Sequence, residues 1–78
     1  MEDFRIWGRI EETALTKFVV VVTAIPESAD LAGIKSLTEV HRSKAQAIAA
    51  LRAMMERMVR SINDAGNRVT FSQSLDGF

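Results

Sequence analysis

The chain holds one histidine and no cysteine, so chemistry that needs an imidazole or a thiolate has only His41 to work with. Glu39 and His41 stand two residues apart. On a strand both side chains face the same way, which is the placement a metal pair or an acid–base pair requires. A structural zinc site takes four ligands and a catalytic one three, and no second histidine or cysteine exists to complete either. No metal site is expected, and His41 reads as a solvated residue beside a helix start. Nucleophilic catalysis asks for a serine or cysteine held against a base, and no serine here carries a recognisable local signature. Glu11, Glu12, Glu27 and Asp30 fall in stretches that read as loops, where acidic side chains serve solvation. A domain of this size also leaves little room for a closed pocket. The expectation is no catalytic residue, no cofactor and no enzymatic activity.

Binding chemistry is better represented. Arg5, Trp7 and Arg9 alternate along one segment, and an aromatic ring between two arginines can stack on bases and neutralise phosphates. Tryptophan and arginine equally mark protein interfaces. The total charge favours the second reading, because ten basic residues balance ten acidic ones and no net field draws the chain to a phosphate backbone. Nucleic-acid binding by Arg5, Trp7 and Arg9 stands as the alternative. Met54, Met55 and Met58 fit an adaptable groove, or the filling of a core under a helix.

These residues need elements to position them. Phe4 to Ile10 alternates, with Phe4, Ile6 and Ile10 on one side and Arg5, Trp7 and Arg9 on the other, as in a strand wetted on one face. Glu11 to Thr16 reads as a turn. Lys17 to Ile25 is valine-rich and bounded by Pro26, the composition of a second strand. Pro26 to Gly33 carries turn formers and no sustained period, so a loop is expected. Ile34 to His41 gives a third strand, with Ile34 and Val40 on one side and Lys35, Leu37, Glu39 and His41 on the other.

Ser43 and Gln46 have the spacing of a capping box, which opens a long helix. Ile48, Leu51, Met55, Met58 and Ile62 recur at three- and four-residue steps, with Ala45 and Val59 widening the stripe. Arg52, Glu56, Arg60 and Asp64 follow at four-residue steps with alternating sign and mark a solvated face. Gly66 suits the left-handed residue that ends a helix. Val69 and Phe71, alternating with Arg68, Thr70 and Ser72, give a short last strand. The fold class is α+β: a small antiparallel sheet with one long helix on one face, in the order β-β-β-α-β, and residues 1–78 form one domain.

One helix covers one side of a sheet. In the second strand Phe18, Val20 and Val22 point one way and Val19, Val21 and Ile25 the other, so both faces are apolar. A chain of 78 residues without cysteine has neither a large core nor disulfides to lean on. Trp7, Val19, Val21 and Ile25 are therefore interface candidates, and a second copy of the chain is the expected cover, as a homodimer or higher homo-oligomer. A terminal segment around Leu75 and Phe78 folding back as a lid is the other source of cover. The longest apolar run, Phe18 to Ile25, is interrupted by Thr23 and too short to span a bilayer. Met1-Glu2-Asp3 is acidic where a signal peptide is basic. A cytoplasmic protein without membrane partners is expected.

The run Phe18-Val19-Val20-Val21-Val22-Thr23-Ala24-Ile25-Pro26, a loop and third strand, then Ser43-Lys44-Ala45-Gln46-Ala47 opening a helix that ends in Gly66-Asn67-Arg68-Val69, resembles the HicB-like antitoxin domain over roughly residues 4 to 70. That family has a similar β-β-β-α-β order, a proline after its second strand and a Thr/Ser-x-x-Glu-Ala helix start. Its Pro-Asp-x-Pro-Gly stretch appears here as Pro26-Glu27 alone, Arg42 stands near where a glycine-acidic turn precedes the helix, and no DNA-binding segment is expected beyond Phe78. The resemblance implies a domain that oligomerises and occupies the surface of a small partner protein, such as an RNA-cleaving toxin. It transfers no catalytic residue.

Overall fold

The computed structural model describes residues 1–13, 15–28 and 30–74. The elements run β1 (Asp3–Glu12), β2 (Phe18–Pro26), a 3-10 turn (Leu31–Gly33), β3 (Lys35–His41), α1 (Lys44–Asp64) and β4 (Arg68–Ser74). This is the expected order, with one helix packed against one four-stranded sheet. The strands lie side by side as β3-β2-β1-β4. The valine-rich β2 is central, between β1 and β3, and β1 is central between β2 and β4.

The sheet is mixed, not wholly antiparallel: β2 runs antiparallel to both β1 and β3, while β4 pairs parallel to β1. The connectivity accounts for the direction. Two hairpin-type steps bring β3 parallel to β1. A helix that crosses from β3 at one edge to the other edge returns the chain to the end where β3 began, and β4 then runs the same way.

Phe4, Ile6, Val20, Val22 and Ala24 from the sheet and Ala47, Leu51, Met54, Met58 and Ile62 from α1 make the core. Gly8 lets the helix come close, since a Cβ there would lie 2.6 Å from Leu51 Cδ1 and 2.8 Å from Met55 Sδ. Relative to the periodicity reading the buried stripe is rotated. Ala47 and Met54 replace Ile48 and Met55 at its centre; Ile48, Met55 and Val59 are half-buried on one flank, and Ala45 is exposed. Small Ala47 and Gly8 allow a closer seat than the bulkier Ile48 would. Ser43 Oγ accepts a hydrogen bond from the Gln46 amide at 3.1 Å, the first half of the capping box. At the other end Gly66 takes φ 84°, its amide donates to Asn63 O and the Asn67 amide to Ile62 O, each at 3.0 Å, the Schellman pattern that satisfies free carbonyls.

One local irregularity changes which side chains face where. Phe4 pairs with Val69, but Arg5 pairs with Phe71, so Thr70 is an extra residue in β4. Such a bulge shifts the alternation by one residue. Val69 therefore packs toward the helix while Phe71 turns to the opposite face, and the shared face expected from their spacing is not found. The Thr70 hydroxyl lies 3.4 Å from Phe4 O and 3.2 Å from Glu27 Oε1, two acceptors that share its proton.

Candidate interaction surface

The register fixes the composition of the face away from the helix. Along β1 it presents Arg5, Trp7 and Arg9, which pair with Ile25, Thr23 and Val21 of β2. Val21 and Val19 pair in turn with Thr38 and Val40 of β3, and Arg5 and Trp7 with Phe71 and Gln73 of β4. All four interface candidates, Trp7, Val19, Val21 and Ile25, thus share one surface, and each is half-buried among the described residues. Val40 is 57% and Phe71 42% exposed, whereas Val20 and Val22, the neighbours on the helix side, are at 0%.

Two features give this face relief. The Trp7 and Phe71 rings contact each other at a centroid distance of 5.6 Å and an interplanar angle of 48°, a tilted arrangement within the favourable range for aromatic pairs. Beside them lies a concavity of about 360 Å³, lined by Trp7, Gly8, Arg9, Val21, Thr23 and Ile25. Aromatic ridge and apolar hollow are adjacent on the same surface.

The charges on this face are compensated within the chain. Arg5 Nε bonds Glu27 Oε1 at 3.0 Å, and Arg9 Nε bonds Glu11 Oε1 at 2.9 Å. The structure brings Arg5, Trp7 and Arg9 together as a nucleic-acid patch would need, but with each guanidinium already held by a carboxylate. At the rim, Arg68 Nε and Nη2 grip Asp3 Oδ1 and Oδ2 at 3.0 and 2.9 Å. These hydrogen bonds, helped by the guanidinium charge, hold the Asp3 carboxyl below its ordinary value.

The residues with catalytic or metal-binding chemistry lie elsewhere. Glu39 and His41 do face the same way, on the helix side at the end of β3. His41 Nε2 is 3.0 Å from Glu39 Oε1, and Arg57 Nη1 is 3.5 Å from Glu39 Oε2. Among the described residues no group of three His, Cys, Asp or Glu side chains is placed to hold a metal ion. Met54 and Met58 are core, and Met55 sits over Gly8 at the margin of a second hollow of about 550 Å³ between α1 and Ser72 of β4. The segment around Leu75 and Phe78, considered as a lid, lies outside the described residues. Among the described residues no helix is long and apolar enough to cross a membrane.

Comparison with protein-family models, with curated proteins and with solved structures gives no match. The surface therefore has to be read from its own residues. Of those, Phe71 is not assigned to this face by periodicity, because nothing local in Arg68 to Ser74 announces the bulge. Val40 is legible, since alternation already separates it from Glu39 and His41.

Proposed function

We propose that the chain is a non-catalytic protein-binding module of the HicB-like antitoxin type, which self-associates through its helix-free sheet face and takes a small toxin-like protein as partner. The observation that carries this reading is the row Trp7, Val19, Val21, Ile25, Val40 and Phe71, half-buried or exposed among the described residues on the helix-free side of the sheet. Apolar side chains gathered in one patch mark interaction sites more often than free surface. The β-β-β-α-β order is compatible with the resemblance that suggests the antitoxin type. The pairing of Arg5 with Glu27 and Arg9 with Glu11 favours a protein partner over a polyanion, because each carboxylate offsets the positive charge that would draw a phosphate backbone.

Light scattering on the purified chain tests the reading. Association should raise the mass from 8.7 kDa toward twice that value as concentration increases, and Val21→Lys should hold the protein at the lower mass without unfolding it. A chain that stays at the protomer mass up to about millimolar concentration, the weak end of specific affinity, would sink self-association. Co-purification with a small RNase-like protein encoded next to it tests the partner.

A further inference from the structure

We infer that the second copy docks about a two-fold axis running along β1, so that Phe71 of each protomer enters the hollow floored by Val21, Thr23 and Ile25 of the other and the two Trp7 rings meet at the centre. This rests on the self-association proposed above and specifies its geometry. The strand order supplies the argument. β4, which carries Phe71, and β2, which carries the hollow, flank β1 on opposite sides. An axis along β1 lays β4 of one protomer over β2 of the other, and both contacts form at once because a two-fold interface is isologous. The same operation leaves positions along the strands unchanged. Phe71, level with Arg5, then faces the part of the partner's β2 around Ile25 and Thr23, which pair with Arg5 and Trp7.

Three observations select a second copy as the occupant. The exposed ring and the hollow of about 360 Å³ lie on one surface, so the face has the relief to fit itself. Its arginines are neutralised by Glu27 and Glu11, which removes the like-charge repulsion that two identical cationic faces would suffer. The bulge at Thr70 turns Phe71 outward, where among the described residues its ring rests on Trp7 and keeps 42% of its surface exposed, so that docking against a second copy adds burial. Four strands about 4.8 Å apart and seven to ten residues long present on the order of 500 Å² in projection. A standard interface takes roughly 800 Å² per partner, so the dimer is a weak one that exchanges with monomer.

The test follows the sedimentation of the full chain and the emission of Trp7, its one tryptophan, from about 1 μM to 1 mM, a range that brackets weak affinities. Doubling of mass with a blue shift of emission and loss of iodide quenching is expected. Phe71→Ala and Thr23→Phe should each weaken association by about tenfold or more, the first by losing a buried ring and the second by filling the hollow. The double variant replaces the ring from the opposite side and should recover to within about threefold of the parent, the non-additivity that marks a direct contact. Circular dichroism verifies that each variant folds, and the Trp7 measurement on the unmodified chain needs no variant. Doubling of mass with unchanged Trp7 emission, or a double variant no better than the worse single one, overturns this geometry and leaves self-association standing. A chain that never doubles in mass removes both.

Discussion

Leu51 rests on Gly8: a Cβ at that glycine would stand 2.6 Å from Leu51 Cδ1, closer than carbon atoms approach without displacement. Ordinary strand preference makes alanine better than glycine by roughly 0.5–1 kcal/mol, whereas overpacking costs about 1–3 kcal/mol. Because Leu51 and Met55 can bend away in part, Gly8→Ala should lower stability by about 1 kcal/mol, and Gly8→Val by more. Urea denaturation reads the sign directly. A stabilised alanine variant would mean that the helix does not sit this close.

The rotation of the helix predicts an inversion of importance between two apolar residues. Met54 is 1% exposed in the core, while Ile48 is half-buried on the flank. Met54→Ala should cost about 2–4 kcal/mol, and Ile48→Ala roughly 1 kcal/mol. Equal losses, or a larger one at Ile48, would restore the helix phase that periodicity suggests.

Asp3 and Arg68 tie the start of β1 to the start of β4. The folded Asp3 carboxyl titrates below its ordinary value. Its contribution to stability is therefore present above the unfolded carboxylate value of about 3.9 and disappears as pH falls through the lower folded value. Asp3→Asn should melt below the parent at pH 6, with the gap shrinking as pH falls below the ordinary carboxylate value of about 3.9. A gap of constant size across that range would separate the two residues energetically.

Thr16 takes φ 56° in the turn between β1 and β2, where Thr13 N donates to Lys17 O at 2.9 Å and Thr16 N to Thr13 O at 3.1 Å. A β-branched residue in the left-handed region carries strain on the order of 1 kcal/mol, and asparagine tolerates it better. Thr16→Asn should raise the melting temperature by about 4 °C, given that 1 kcal/mol is worth roughly 4–8 °C in a domain this small. A lowered melting temperature would count against the turn geometry.

What could be read from the residues alone follows a physical division. Ser43 and Gly66 announce both helix ends because capping depends on neighbours in sequence. The doubly apolar β2 announces a central strand, and with it the helix-free face that holds Trp7, Val19, Val21 and Ile25. The parallel direction of β4, the extra residue at Thr70 and the seating of Leu51 on Gly8 depend on partners distant in sequence, so no local period encodes them. A glycine inside the alternating run Phe4 to Ile10 is the one hint of close approach that the sequence offers. Phe71 shows how much one such feature matters: a single inserted residue moves the ring from the core side to the open side.

The pairing of β1 with β4 also governs how the fold is reached. The ion pair of Asp3 and Arg68 spans 65 positions, and β1 stays without its second neighbour until the crossover helix has delivered that strand. Local turns can form early, but the sheet closes only after almost the whole described chain has emerged from the ribosome. Such high contact order makes folding slow relative to a helical bundle of the same size. Until closure, the nascent chain carries an open edge at β1, where a chaperone or a neighbouring chain can bind first.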